Sequence, residues 1–191
     1  MTLPFEPQTG DIIFVTQGSP LSYFIRLRQQ DFDYSHVFIV GRKLPNGRWT
    51  AFTTGGHKFY FYGEMDLENY LNGKKYIVQR AKGALKDEQK EAIIELASSI
   101  CGTPYNTAGL LKLSTIGMFT DHVIHSLYKP SLAFPFSEMK SFFCSQAVAY
   151  LLWVGAGIHL NSRAEKDDPS PYDLASVYYA EQTEDIYKST P

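Results

Sequence analysis

The chain reads as an α+β protein in which an antiparallel sheet or small barrel packs against helices. Three observations predict this. Strand signals crowd the first half, around the hairpin turn Leu44-Pro45-Asn46-Gly47. A helix carrying Cys144 dominates the second half, so strands and helices are segregated along the chain. The length, 191 residues, suits one domain with a single buried core.

The elements follow in order. Gly10-Asp11 is a turn signal that opens the apolar run Ile12-Ile13-Phe14-Val15, a buried strand. Residues 19–30 have helical spacing, with Leu21, Phe24, Ile25 and Arg28 on one side. His36 heads the next strand, Val37-Phe38-Ile39-Val40. Residues 49–54 form its antiparallel partner across the Asn-Gly turn. Gly55-Gly56 ends or bulges that strand, and residues 58–62 continue it. A short helix is expected over 64–72, ending at Asn72-Gly73, and a strand over 76–80. Asp87 caps a helix that runs through Cys101, with Ile93, Ile94 and Ala97 on its apolar face and Gly102 as its stop. Residues 107–140 mix helical patches with Pro130 and Pro135 and are read as a lid or cap inserted in the single domain, residues 1–191. Helix 142–154 follows. The polar C-terminal segment holds Pro171-Tyr172-Asp173-Leu174, a docked turn into a short helix.

Composition excludes several function classes. Net charge is -2 with no basic or acidic run, so there is no electrostatic case for nucleic acid. The longest near-apolar stretch, 142–158, is short for a bilayer span and contains Cys144, Ser145 and Gln146. The N-terminus lacks a charged region followed by an apolar one, so no signal peptide is expected. That favours a cytoplasmic location, or a secreted one if a leader has been lost. Two cysteines, Cys101 and Cys144, make no disulfide framework and are expected as thiols.

Two residues carry the chemistry. Cys144 lies at the start of the helix, where unpaired N–H groups favour thiolate. His36 lies at a strand start, suited to act as its base. If Asn46-Gly47 is a two-residue turn, Pro45 faces Arg48, Val40 faces Thr53 and His36 faces His57. Side-chain alternation then puts His36, Thr53 and His57 on one face. Thr53 and His57 are therefore the candidates for the third group that orients the imidazole. Cys101, at a helix C-terminus where the dipole disfavours thiolate, reads as core. His122 and His125, with Asp121 beside them, share a helical face. Two such ligands are weak evidence for metal, and no metal is assigned. His159 has no evident partner.

The motifs and their order resemble a known family. They are Gly10-Asp11-Ile12-Ile13-Phe14, Ser35-His36-Val37, Gly102-Thr103-Pro104-Tyr105, Phe143-Cys144-Ser145 and Pro171-Tyr172-Asp173-Leu174. The chain is similar to the circularly permuted papain-fold proteins of the NlpC superfamily, in their YiiX/YaeF-like amidase group. It is more distantly similar to the lecithin:retinol acyltransferase group. The resemblance implies that Cys144 is the nucleophile, that His36 is the base, and that Tyr105 lines the site near the cysteine or its oxyanion. The family's third residue is usually a Glu, or a His in the acyltransferases. Here the corresponding strand, Trp49-Thr50-Ala51-Phe52-Thr53-Thr54, has no carboxylate, and Thr53 is the match in position.

The expected activity is hydrolysis of an amide bond in a peptide-like, cell-wall or lipid-like substrate, through an acyl-thioester and without cofactor. The alternatives are an acyltransferase or lipid hydrolase using the same Cys-His dyad, and a catalytically inactive binding domain, which the missing carboxylate favours. The expected partner is a small peptide-like or acyl-amide substrate. Nothing in the sequence sets the oligomeric state.

Overall fold

The computed structural model describes residues 3–19, 22–23, 26, 33–55, 58–65, 67–105, 144–158 and 182–189. The described elements are β1 (Ile12–Val15), β2 (His36–Lys43), β3 (Trp49–Gly55), β4 (Lys58–Met65), α1 (Leu67–Leu71), β5 (Tyr76–Ala81), α2 (Asp87–Ser99), α3 (Cys144–Tyr150) and β6 (Thr183–Lys188). A π-helical segment, Leu151–Gly155, continues α3. The strands form one six-stranded sheet in the order β4-β3-β2-β1-β5-β6, with every described pairing antiparallel. The fold is α+β, and the sheet is open rather than a barrel: β4 and β6 are its edges. None of the described helices is long and apolar enough to cross a membrane.

Both faces of the sheet are covered, which explains why β1 is apolar throughout rather than alternating. Ile12, Phe14, Val37, Ile39 and Phe52 face α2 and α3. Ile13, Val15, Phe38, Val40 and Ala51 face the other way, toward Leu67 and Leu71 of α1. Asp11, fully buried before β1, is held by a bidentate pair with Arg80 of β5 (2.7 and 2.9 Å) and by the Gln8 N–H (2.8 Å). The Arg80 guanidinium also donates to Glu6 O at 2.9 Å, which ties the N-terminal arm to the sheet.

The hairpin between β2 and β3 departs from the two-residue turn in two ways. The Gly47 N–H donates to Leu44 O (2.9 Å) and the Leu44 N–H to Arg48 O (2.7 Å), so three residues make the loop. Gly47 adopts φ 84, the left-handed conformation this loop requires. Between Val40 and Lys43 the register then shifts again. There the Thr50 hydroxyl accepts from the Arg42 N–H (2.7 Å) and donates to Arg42 O (3.1 Å), occupying both groups freed by the bulge. Gly41 leaves room for that hydroxyl; a Cβ at this position would collide with Thr50 Oγ1. As a result Val40 pairs with Ala51, not with Thr53. The two slips together move β3 by two residues, which restores the original face of every side chain.

Other boundaries also differ. Residues 58–65 do not continue β3 but return along it as β4, with Gly55 opposite Lys58. That strand reaches Met65, so the helix expected over 64–72 is confined to Leu67–Leu71. Asp87 is the first residue inside α2, whose cap is Lys86, and the helix stops at Ser99. The Gln89 amide accepts from the Lys86 N–H (3.0 Å) and donates to Ala156 O (2.6 Å). One side chain thus joins the start of α2 to the end of the π segment. Gly155 permits that close crossing, since a Cβ there would lie 3.0 Å from Ile93 Cα. Cys101 is exposed rather than core, with its thiol donating to Ala97 O at 3.3 Å, and no disulfide joins it to buried Cys144. β6 has no counterpart among the expected elements. Residues 107–140 and 171–174 lie outside the described residues, as does most of 19–30.

Candidate active site

The entry to β2 is fixed before His36 is reached. The Ser35 N–H donates to Val15 O (3.0 Å), and its hydroxyl accepts from the Gln17 N–H (2.9 Å). His36 then pairs with Val15 across the ladder. Alternation puts its ring on the face of Phe38 and Val40, the face covered by α1. The ring is partly buried, and Nε2 lies 2.6 Å from Thr53 Oγ1. The Thr53 hydroxyl has its own acceptor in Thr54 O at 3.4 Å. That assigns the imidazole proton to Nε2 and leaves the Nδ1 lone pair as the basic site. Burial lowers the imidazole pKa to about 4, and the charge of Lys74 adds to the effect. Lys74 Nζ sits 3.4 Å from the centre of the Tyr70 ring, which meets Phe38 edge-on at 5.6 Å.

Cys144 opens α3 on the opposite face of the sheet, 5% exposed, in the layer of Val37, Ile39 and Phe52. Burial pushes its thiol up to about 11. Three backbone N–H groups, from Val37, Ser145 and Cys144 itself, bear on the sulfur and pull the other way, as does the nearby Thr54 hydroxyl. That hydroxyl lies beside the sulfur without meeting hydrogen-bond geometry; like Ser145 Oγ, it is buried with no partner among the described residues. Burial first, and then the charge Cys144 carries as a thiolate, push the Tyr105 phenol well above its ordinary range, so it stays protonated.

The expected residues are therefore brought together in two groups. His36 joins Thr53, and Cys144 stands apart from them, within electrostatic reach of Tyr105. The His36 ring and the Cys144 sulfur, expected as a pair, are not hydrogen-bonded to each other. The physical reason is strand alternation. His36 and Val37 are consecutive, and the Val37 side chain packs in the Cys144 layer while the His36 side chain leaves on the other face. The resting groups are a neutral thiol and a neutral imidazole. His57, the other candidate third residue, lies outside the described residues, as do Asp121, His122, His125 and His159. Among the described residues no three His, Cys, Asp or Glu side chains converge on a metal-sized site.

Sequence reasoning passed over Thr54 and Lys74. Thr54 was legible in principle, since a strand that aims Thr53 at His36 aims Thr54 at the other layer. Lys74 had no signal, because only the tertiary fold brings α1 and its C-terminal turn against β2.

No protein-family model matches the chain. By sequence it is 28% identical over 138 residues, 71% of its length, to the uncharacterized protein YiiX of Escherichia coli (strain K12). The matched stretch spans 64% of that protein. By structure it superposes on the crystal structure of metalloprotein YiiX from Escherichia coli O157:H7 with a TM-score of 0.64 at 21% identity, covering 98% of this chain and 100% of that one. The fold is that of YiiX.

Proposed function

We propose that the chain is a cysteine-dependent hydrolase that cleaves an amide bond through an acyl-thioester on Cys144. The observation that carries this reading is the burial of the Cys144 sulfur at the first residue of α3, where the backbone N–H groups of Val37, Ser145 and Cys144 itself favour its charged form. Such donors favour a thiolate and, in the reaction, the oxyanion that forms next to it. In the proposed sequence the His36 ring leaves Thr53 and swings round the start of β2 toward the sulfur, and the thiol proton then passes to its Nδ1. The thiolate adds to the carbonyl carbon. The tetrahedral intermediate collapses by breaking the C–N bond, and the amine leaves with the proton from His36. Water, deprotonated by His36, then hydrolyses the thioester and releases the acid. Thr53 holds the ring in its resting position. It does so without the charge a carboxylate would supply to an imidazolium. The permuted papain-like arrangement and the amidase class are part of this proposal.

YiiX is described as a metalloprotein. Among the described residues one thiol and one imidazole on opposite faces do not assemble a metal site, and every step above uses the chain's own groups. The second reading, an inactive binding domain on the same fold, draws support from one observation: the imidazole and thiol are not joined in the resting state.

The test is acylation. The protein is incubated with p-nitrophenyl acetate and followed by intact mass. A single acetyl on Cys144, lost in Cys144→Ala and slowed at least a hundredfold in His36→Ala, is expected. Absence of an adduct on Cys144 in folded protein, with labelling after denaturation, would put the binding-domain reading first.

A further inference from the structure

Thr54 is a polar side chain in a place that physical chemistry disfavours. It is 2% exposed, on β3, in the apolar layer between the sheet and α3. Its hydroxyl has no hydrogen-bond partner among the described residues. A buried hydroxyl without a partner destabilises a fold, and a valine of the same shape would remove that cost. Its neighbour Thr53 is satisfied twice over, by His36 and by Thr54 O. Thr50, two turns of the pleat away on the same layer as Thr54, is satisfied at the bulge. Among the three threonines at these positions, the one left without a partner is the one beside the Cys144 sulfur.

A neutral thiol is a weak acceptor, whereas a thiolate is a strong one. We propose that Thr54 is a positioning residue for Cys144, its hydroxyl held in reserve to donate to the sulfur once the sulfur becomes anionic. The hydroxyl is unsatisfied in the resting state and satisfied in the reactive one, so its burial cost falls on the resting state alone. This rests on the reading of Cys144 as nucleophile and adds a side-chain donor to the three backbone N–H groups. Among the described residues the groups around the sulfur are few. β2 contributes the Val37 N–H, α3 its own first N–H groups, β3 the Thr54 hydroxyl, and Tyr105 a phenol that remains protonated. The apolar face of α2, with Ile93, Ile94 and Ala97, adds no charge. His36 and Lys74 belong to the other face of the sheet.

The experiment compares Thr54→Val, Thr54→Ala and Thr54→Ser with wild type. The readout is the rate of Cys144 alkylation by iodoacetamide from pH 7 to 10, by peptide mass spectrometry, alongside thermal unfolding. Thr54→Val and Thr54→Ala are expected to slow Cys144 labelling at pH 8.5 by roughly tenfold to a hundredfold, the thiolate fraction falling tenfold per pH unit. Thr54→Ser should restore the rate to within about threefold, a margin for its looser rotamer. Thr54→Val should unfold at a temperature no lower than wild type. A rate within twofold of wild type in both variants that lack the hydroxyl would overturn the proposal. Equal slowing in all three would do the same, because it would mean packing rather than hydrogen bonding. Should Thr54→Val not fold, the Ala and Ser pair gives the same comparison. Alkylation needs neither His36 nor a substrate, so a failed acylation test would sink the hydrolase reading while leaving this result standing.

Discussion

Consider the acid limb of stability, where His36 makes a specific claim. Its imidazole is held neutral down to about pH 4, whereas an unfolded chain protonates it near 6.5. Between these values the unfolded state binds more protons than the native state, so stability must fall as pH drops through that window. Below about 4 both states are protonated and the loss is complete. At about 1.4 kcal/mol per pH unit the ceiling is roughly 3 kcal/mol; the partial exposure of the ring discounts it to about 2 kcal/mol. His36→Gln removes the titration while keeping an amide able to reach Thr53. Urea unfolding of wild type and variant at half-unit steps from pH 4 to 7.5 isolates the difference. Wild type should lose about 2 kcal/mol relative to the variant on acidification, with most of the change between pH 6.5 and 4.5. A difference that stays flat, or that grows in favour of wild type as pH falls, would refute the neutral imidazole. The flat result would mean an unshifted imidazole, and the rising one a resting thiolate–imidazolium pair, whose histidine pKa is raised.

Three further outcomes are expected. Gly41→Ala drives a Cβ into the Thr50 hydroxyl at the bulge and should destabilise by about 1–3 kcal/mol in urea unfolding, with Thr50→Ala in the same chain recovering part of it. Arg80→Leu strands the buried Asp11 carboxylate and should cost roughly 3 kcal/mol at pH 7.5. Burial already raises the Asp11 pKa despite the Arg80 hydrogen bonds, so the native state binds that proton more tightly and the penalty should shrink as pH falls toward 4; melts at pH 7.5 and 4.5 read this, and Asp11→Asn should rescue. Gly155→Ala places a methyl against the Ile93 backbone and should lower the thermal midpoint by several degrees, with the sheet signal in circular dichroism unchanged.

The fold class was legible because the strongest local signals agree with the tertiary result. Ile12–Val15 is apolar on every residue because it is central and covered twice. The Asn46-Gly47 dipeptide marks a real hairpin. Its register was not legible: loop length and the Thr50 bulge depend on hydrogen bonds that no pattern announces. The face of Thr53 survived only because two slips cancelled. β6 escaped notice because Thr183-Glu184-Asp185-Ile186-Tyr187-Lys188 is an edge strand with charged positions, carrying little of the apolar alternation that identifies inner strands. At the site, residue types and register pointed to Cys144, His36 and Thr53, and the family resemblance to Tyr105; geometry then separated His36 and Thr53 from Cys144. What the strand signals do not express is which face α3 covers, and so that Cys144 ends on the side of the sheet opposite His36.

The order in which the sheet closes has a consequence for biogenesis. β6 reaches its partner from far along the chain, and Ser189 fastens to Tyr76 across a separation of 113 residues. Until that segment leaves the ribosome, β5 is paired on one side and bare on the other, with Ile77 and Val78 among its residues. A bare apolar edge is a template for a second nascent chain. Synthesis stalled or cut after α3 should therefore give aggregates rather than a stable smaller fold, and holdase chaperones should dwell on the intermediate until the last strand arrives.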